Sequence, residues 1–489
     1  MKKLSEYLNE INFLIREQHI FSDPAVKGVS NNSRQIEPGW IFVAIKGANA
    51  DGHDYISQAL ANGAVAILYS EETALKGKGN FIRVSDSYYA YAILVEAYFN
   101  FPADKLKITG ITGTNGKTTT AFMLHKLFTD NGIKTGLIST VKYSSGGDKS
   151  EDASRTTPEA VTLQKLFAEM VDSKCVKAVI EVSSHGLDQH RIGRAKLAVG
   201  IFTNLSGDHL DYHQNTDNYL EAKSRMFSDY LAKDGTGIIN TDDPAGEKIF
   251  RKFKDKNLIS YGRSASCFCR IKEISSSSRG SIVKLDINGK DFEFSSNLSG
   301  EYNAYNWAGA ICAANAQGIE LDQIADSINR SELSVPGRLE RFETANGAVV
   351  FVDYAHTDDA LKNVLLNLRK ISEKKIITLF GCGGNRDKTK RPRMGKIAEE
   401  YSDKVIITSD NPRNEEPEAI IKDILTGINE MSKITVITDR RQAIFEAVNL
   451  ASEGDIVLIA GKGHETYQEI NGENTFFDDR KVVVEACLN

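Results

Sequence analysis

Gly110-Ile-Thr-Gly-Thr-Asn-Gly-Lys-Thr-Thr119 decides the fold. The apolar run Leu106-Lys-Ile-Thr-Gly-Ile111 predicts a strand, and Thr119-Thr-Ala-Phe-Met-Leu-His-Lys-Leu-Phe128 predicts a helix. A strand, a Gly-rich turn and a helix in that order make a phosphate loop. Glycines let backbone N–H groups approach phosphate oxygens, and the helix N-terminus favours negative charge. Lys117 supplies a cation and Thr118 a hydroxyl for Mg²⁺. Against the pattern G-x-x-x-x-G-K-[ST], Ile111 stands at the first glycine position, and the glycines fall at Gly110 and Gly113 instead. Gly116-Lys117-Thr118 still sits where the mechanism needs it. The bland alternative is an ordinary Gly-rich strand–turn–helix.

A chain of 489 residues exceeds one core, and roughly three domains are expected. Pro-marked breaks at Phe101-Pro102-Ala-Asp104 and Val335-Pro336-Gly337-Arg338 place them at 1–103, 104–336 and 337–489. The formal charge of −6 argues against nucleic acid as the main partner. The polar start Met1-Lys-Lys-Leu-Ser-Glu-Tyr-Leu-Asn-Glu10 reads as an amphipathic helix rather than a signal peptide, and no run is long enough to span a membrane. Cys175, Cys267, Cys269, Cys312, Cys382 and Cys487 are scattered, so free thiols in a reducing compartment are expected rather than zinc.

The predicted fold class is α/β. Trp40–Ile45 and Ala64–Leu68 read as strands around a helical Tyr55–Asn62. Ala178–Glu181, Ala198–Thr203 and Gly237–Asn240 predict a mostly parallel central sheet. Between 267 and 296 the pattern alternates, with a hairpin signal at Asn288-Gly289 and a Ser-rich turn at Ser275–Ser278. The last segment holds five strand-like runs: Val349–Val352, Lys375–Phe380, Val405–Thr408, Ile434–Ile437 and Ile456–Ala460. A polar or Gly-rich cluster follows each: Asp353–His356, Gly381–Lys388, Asp410–Arg413, Asp439-Arg440 and Gly461–Glu465. Ligands of open α/β sheets bind beyond the carboxyl ends of strands, so this edge is a candidate site.

Glu181 closes a strand and suits Mg²⁺; the plain alternative is a surface glutamate. Asp208-His209-Leu-Asp211-Tyr-His213 spaces two histidines i and i+4 but lacks the H-E-x-x-H glutamate. His209 suits Mg²⁺ or phosphate, while His213 reads equally well as a structural histidine. Lys223 reads by default as a solvated helix lysine. Arg386, Lys388, Lys390, Arg391 and Arg393 form either a solvated face or a carboxylate-recognition cluster.

Gly113-Thr-Asn-Gly-Lys-Thr118, Glu181-Val-Ser-Ser-His185, Asp208-His209, Asn303 and Asn306, Gly337-Arg338, and Asp353-Tyr-Ala-His356 resemble the Mur ligases of peptidoglycan synthesis, in order along the whole chain. Thr156-Thr-Pro158, Ser183–Arg191, Asp410-Asn-Pro-Arg413 and Gly461–Glu465 resemble the diaminopimelate-adding branch of that family. The resemblance implies a small α/β UDP-binding domain, a central P-loop-like ATPase domain and a C-terminal Rossmann-like domain. It implies an ATP- and Mg²⁺-dependent amide ligase, bacterial and cytoplasmic, taken to be a monomer. Its substrates would be UDP-N-acetylmuramoyl-L-Ala-D-Glu, meso-diaminopimelate and ATP. Catalytic roles fall to Lys117, Glu181, His209 and Lys223, with Thr118, Glu181, His209 and a carbamylated Lys223 at the metal. ATP contacts fall to Gly113, Thr114, Asn115, Gly116, Lys117, Thr118, Thr119, Asn303, Asn306, Arg338, Asp353 and His356. The UDP-dipeptide falls to Asn31, Ser33, Ala48, Asn49, Ala50, Thr156, Thr157, Ser183, Gln189 and Arg191. Diaminopimelate falls to Arg386, Asp410, Asn411, Pro412, Arg413, Gly461 and Glu465. Other branches of the same chemistry, a lysine-adding ligase or a folate polyglutamate synthase, are the alternatives. A P-loop GTPase would need Asn-Lys-x-Asp, which the sequence lacks.

Overall fold

A computed structural model describes residues 1–47, 50–72, 79–147, 150–207, 210–330 and 332–488. The chain contains three main sheets, each with helices packed on it. The first has the order Ile15–His19, Phe81–Val84, Ala66–Tyr69, Trp40–Val43, Gly28–Ser30. Only Ile15–His19 runs antiparallel to its neighbour. Consecutive side chains of a strand point to opposite faces, so Ile41 and Val43 join one core while Phe42 joins the other. Helix Ser87–Tyr98 fills the larger core with Ile93, Leu94 and Val95, and Asp86 caps it by accepting from the Tyr89 N–H.

The central parallel strands run in the order Asn257–Gly262, Leu231–Asn240, Leu197–Phe202, Lys107–Thr112, Lys177–Glu181, Thr135–Ile138. Two antiparallel strands, Lys142–Ser144 and Ser150–Asp152, extend this edge. Register matters more than order here. Glu181 lies opposite Ile111, and Phe202 lies opposite Thr112, so three strands end level with the phosphate loop. Helix Lys117–Asp130 leaves that loop and buries Phe122, Met123, Leu124, Leu127 and Phe128.

The region 269–296 is an antiparallel meander of Cys269–Ser277, Gly280–Ile287 and Lys290–Ser296. Asn288 and Gly289 both take positive φ (52° and 82°), as a two-residue hairpin requires. The expected Ser-rich turn is corrected: Ser275, Ser276 and Ser277 lie within the strand, and only Ser278-Arg279 turn. The serines continue the strand's alternation, and Ser276 Oγ meets Ser281 Oγ at 2.7 Å.

All five apolar runs of the last segment form strands. The order is Glu340–Glu343, Val349–Asp353, Ile456–Ala460, Ile376–Phe380, Lys404–Ile407, Ile434–Val436, parallel except for the first. Separate cores cover its two faces. The sequence reading missed Glu340–Glu343, a charged edge strand, and the hairpin Tyr467–Ile470/Glu473–Phe476. Beneath the sheet's carboxyl edge, Arg440 and Asp479 form a fully buried pair at 2.7 Å. Arg440 also donates to the carbonyls of Ser409 and Ala460, joining two strand ends. Removing either partner would strand a buried charge, at a cost of about 3–5 kcal/mol.

The six cysteines are all free; Cys175, Cys269, Cys312 and Cys382 are buried, while Cys267 and Cys487 are partly covered. No helix among the described residues is long and apolar enough to cross a membrane.

One buried acid ties the first sheet's long helix to the central region. Glu96 accepts from the Arg194 N–H at 2.7 Å and from Arg194 Nε at 3.3 Å, while Arg194 Nη2 reaches Glu10 at 3.0 Å. Burial nevertheless pushes the Glu96 pKa up to about 7, against the opposing pull of Arg194. A carboxyl whose folded pKa is raised contributes most below its unfolded value, and that contribution is lost as pH rises through about 7. The loss amounts to about 3 kcal/mol. Glu96→Gln should therefore gain stability relative to wild type between about pH 5 and pH 8 in denaturant unfolding. A difference that stays constant across that range contradicts the assignment.

Candidate active site

The phosphate loop is stapled from the neighbouring strand. After Leu197–Phe202, Thr203 Oγ1 donates to Asn115 O at 2.6 Å, and Asn204 Oδ1 accepts from the Asn115 N–H at 2.9 Å. Thr114 N–H donates to Asn204 O. This closeness explains the shifted glycine. At Gly113, φ is 151°, and a Cβ would lie 1.9 Å from Thr203 Oγ1. Gly116 takes φ 83° at the cap of helix Lys117–Asp130, which a side chain there would strain. Sequence reasoning did not find Thr203 or Asn204; their only signal was a strand-end position.

Two ammonium groups converge on this loop. Lys117 Nζ donates to Gly113 O and Thr114 O, each at 2.9 Å. Lys223 Nζ donates to the same Gly113 O at 2.9 Å and lies 4.5 Å from the Tyr219 ring. The expected solvated lysine is thus corrected: Lys223 is only 1% exposed. Helix Thr216–Arg225 turns it inward along with Tyr219 and Ala222.

Glu181 is fully buried beside these lysines' loop, not a surface residue. It accepts from Thr118 Oγ1 at 3.1 Å, Thr140 N–H at 2.8 Å and Thr140 Oγ1 at 3.0 Å. Thr140 Oγ1, unnoticed in the sequence, also meets Thr156 Oγ1 at 3.1 Å. Thr119 is buried in the helix's first turn. The Thr118 hydroxyl and Glu181 carboxylate form a hard-oxygen donor set, the kind Mg²⁺ takes. His209 lies outside the described residues. His213 is buried against the rings of Tyr219 and Tyr212, the position of a structural histidine.

Thr156, Thr157, Ser183, Gln189 and Arg191 form one network beside Glu181. Thr157 Oγ1 donates to Glu181 O and accepts from the Ser183 N–H, both at 2.9 Å. Ser183 caps helix Ser184–Asp188. Arg191 donates to Thr157 O at 2.7 Å and to Gln189 Oε1, and pairs with Glu159 at 3.1 Å. In the first domain, Ser33 Oγ donates to Gln58 Oε1 at 2.7 Å, and Asn31 is exposed after strand Gly28–Ser30. Ala50 O accepts from Gly47 N–H, whereas Ala48 and Asn49 lie outside the described residues. The sequence reading missed His53, which braces this loop: its ring meets Asp51 at 2.6 Å and accepts from the Ser70 N–H at 3.2 Å.

In the last sheet's unit, Asn303 and Asn306 are buried and bonded to each other at 3.2 Å. Asp353 accepts from the Leu339 N–H at 2.7 Å and the Ala355 N–H at 2.8 Å. Burial holds its carboxyl above the usual range, against the pull of Arg338. Arg338 stacks on Tyr354 at 4.7 Å, and His356 Nδ1 meets Tyr354 O at 2.8 Å.

The basic run separates into unlike members. Arg391 is fully buried on Glu415 and Asp423, and its guanidinium draws the Glu415 pKa down to about 2. Lys388 pairs with Glu415, Arg393 pairs with Asp358, and Lys390 donates to His356 O. As a carboxylate-recognition cluster the run is corrected, because Glu415, Asp423 and Asp358 take up the charge of Lys388, Arg391 and Arg393. Arg386 is exposed.

The strand ends after Lys404–Ile407 and Ile456–Ala460 bring Asp410, Asn411, Pro412, Arg413, Gly461 and Glu465 together. Lys462, overlooked in the sequence, is wholly buried among them. It donates to Asn411 Oδ1 at 3.0 Å and Glu465 Oε2 at 3.4 Å, and faces Asp410 Oδ1 at 3.6 Å. Asn411 Nδ2 donates to Glu465 at 2.9 Å. Burial raises the Glu465 pKa, with Lys462 opposing. A Cβ on Gly461 (φ 116°) would come within 3.0 Å of Asp410 Oδ2. Arg413 pairs with Glu469 at 2.9 Å.

Family models match nearly the whole span that carries these residues. Residues 25–99 match the Mur ligase family catalytic domain, 111–314 the Mur ligase middle domain, and 337–463 the Mur ligase glutamate ligase domain. The chain is 44% identical over 460 residues to the UDP-N-acetylmuramoyl-L-alanyl-D-glutamate--2,6-diaminopimelate ligase of Aquifex aeolicus, covering 94% of this chain and 93% of the relative. It is 42% identical over 464 residues to the ligase of that name from Clostridium perfringens, covering 94% of each. A solved structure of a ligase of that name superposes with a TM-score of 0.69 at 33% identity, covering 94% of both chains. The matched spans take in the strands of all three sheets that carry these residues, and the chain belongs to the Mur ligase family.

Proposed function

We propose that this chain joins meso-2,6-diaminopimelate to the D-Glu side-chain carboxylate of UDP-N-acetylmuramoyl-L-Ala-D-Glu at the expense of ATP, in peptidoglycan precursor synthesis. The observation that carries the ligase chemistry is the convergence of Lys117 and Lys223 on Gly113 O beside the Thr118–Glu181 pair. The relatives' shared name supports the substrates. The acceptor carboxylate attacks the γ-phosphorus, giving an acyl phosphate and ADP. The amine then attacks the carbonyl carbon, and inorganic phosphate leaves as the amide forms. Such transfers need positioning and neutralisation of charge more than covalent help.

Each residue has a stated task. The loop's N–H groups and the start of helix Lys117–Asp130 receive phosphate oxygens. Lys117 leaves its carbonyl acceptors to follow the transferring phosphate. Thr118 and Glu181 would hold Mg²⁺, with His209 alongside; the ion neutralises phosphate charge. Lys223 works as a carbamate: its neutral amine takes up CO₂ and loses a proton, turning a cation beside Lys117 into an anion. Support for this comes from its burial and from its bond to the phosphate loop at Gly113 O. Thr156, Thr157, Ser183, Gln189 and Arg191, with Asn31, Ser33 and the 48–50 loop, take the UDP-dipeptide. Asn303, Asn306, Arg338, Asp353 and His356 serve the nucleotide. Asp410, Asn411, Arg413 and Glu465 take the amino acid, with Arg386 at the exposed side: Glu465 meets an ammonium and Arg413 the far carboxylate. Lysine lacks that carboxylate and would leave Arg413 donors unmatched.

Phosphate release from ATP with the UDP-dipeptide should therefore require meso-diaminopimelate, with L-lysine giving little. Equal use of lysine would sink the amino-acid assignment and leave the ligase intact. Lys117→Ala should lose about 3 kcal/mol or more of transition-state stabilisation, on the order of a hundredfold in kcat, while unfolding normally; wild-type turnover in the soluble variant would remove Lys117 from the chemistry. Lys223→Ala should be inactive and regain activity with millimolar short-chain carboxylates. The intact protein should carry one CO₂ of extra mass at Lys223 under bicarbonate; active, unmodified enzyme would count against the carbamate.

A further inference from the structure

The loop carrying Arg413 is held by the hairpin that the sequence reading missed. Arg413 bridges Ile470 in parallel register. Its N–H donates to Glu469 O at 3.0 Å, and its carbonyl accepts from the Asn471 N–H at 2.8 Å. Gln468 Nε2 donates to Asp410 O at 2.6 Å, and the Glu469 N–H donates to Asn411 Oδ1 at 3.1 Å. These bonds hold Arg413 at φ +53°, a left-handed conformation uncommon for a long side chain. The side chain is fixed as well. Arg413 Nε donates to Glu469 Oε2 and Nη1 to Gly384 O, each at 2.9 Å. The Arg413 side chain is 19% exposed.

We infer that Glu469 is a positioning residue for amino-acid recognition, presenting Arg413 to the far carboxylate of the incoming amine. The inference rests on the diaminopimelate reading above. Two guanidinium N–H groups are committed to Glu469 and Gly384, and the rest stay open to a carboxylate, which arginine grips through paired parallel bonds. An arginine without such a brace would have to give up rotamer freedom on binding; Glu469 removes that cost in advance. Its negative charge also offsets part of the arginine's pull, so Glu469 acts through angle and order rather than through added attraction. Asn411 links the Glu469 backbone to Glu465. Asn411 Oδ1 accepts from both the Glu469 N–H and Lys462, while its Nδ2 donates to Glu465. The hairpin therefore sets the spacing between the cation-binding and anion-binding ends of the site.

The test uses the full-length enzyme with ATP, the UDP-dipeptide and meso-diaminopimelate. Glu469→Ala should raise KM for diaminopimelate about tenfold, leaving kcat and the KM values for the other substrates within about twofold. Glu469→Gln keeps an acceptor for Arg413 Nε and should recover most of the loss. In an Arg413→Ala background, adding Glu469→Ala should change nothing further, because the brace then has nothing to hold. Equal losses for all three substrates, an unchanged KM for diaminopimelate, or a double-variant loss equal to the product of the single losses each overturns the inference. Wild-type enzyme that does not prefer meso-diaminopimelate sinks the substrate reading, and this inference with it, before any variant is compared.

Discussion

The contact on which the central region turns is the convergence of two lysine side chains on one backbone oxygen of the phosphate loop. Gly113 O accepts from both Lys117 and Lys223, and much of the central region exists to hold that arrangement. Parallel pairing of Lys107–Thr112 with Lys177–Glu181 and Leu197–Phe202 brings three strand ends level. One end supplies the loop, the second a buried carboxylate, and the third the Thr203-Asn204 staple. A shift of one residue in either pairing would turn the side chains at these strand ends to the other face of the sheet. The packed strands and helices beneath therefore serve as a rigid frame that fixes two lysines and a buried carboxylate at the phosphate loop before any ligand arrives.

The last sheet uses the same device with different chemistry. Polar loops leave adjacent strand ends, and buried cations knit them from below. Lys462 joins Asp410, Asn411 and Glu465, while Arg440 joins the backbone of Ser409 and Ala460 to Asp479. Asp410 and Glu465 would repel one another without Lys462, and burial already raises the Glu465 pKa in its presence. Charge that is buried, paired and tied to backbone gives a site whose shape precedes its ligand.

Much of this was legible in the sequence, for identifiable reasons. Four strands of the last sheet, buried over almost their whole length, read as short apolar runs, as did the more exposed Ile434–Val436, and the phosphate loop announced itself through glycines next to Lys117. Asn288-Gly289 marked its hairpin. By the same rule Asn471-Gly472 marks the second hairpin, where both residues take positive φ (51° and 80°), and that signal was there to be read. Burial of individual charges was not legible. Lys223 and Arg391 sit in helices whose patterns look solvated, and they are bonded to a carbonyl and to acids far away in the chain. Thr140, Lys462 and Glu469 act through side-chain bonds across the fold, which no local pattern encodes.

The C-terminal helix Asp479–Leu488 has a consequence for the protein's resistance to proteolysis. Its first residue is the buried partner of Arg440, and Arg440 in turn holds the strand ends that carry Asp410 and Gly461. The exposed strand Glu473–Phe476 lies just ahead of it and offers a protease an accessible segment. A single cut there would leave Asp410, Asn411, Arg413, Gly461 and Glu465 in the larger fragment. Once the severed helix left, it would take away the counter-charge beneath them. Such a nicked chain would fail from below, keeping its first two sheets intact while the strand ends that carry the proposed amino-acid site lost their foundation.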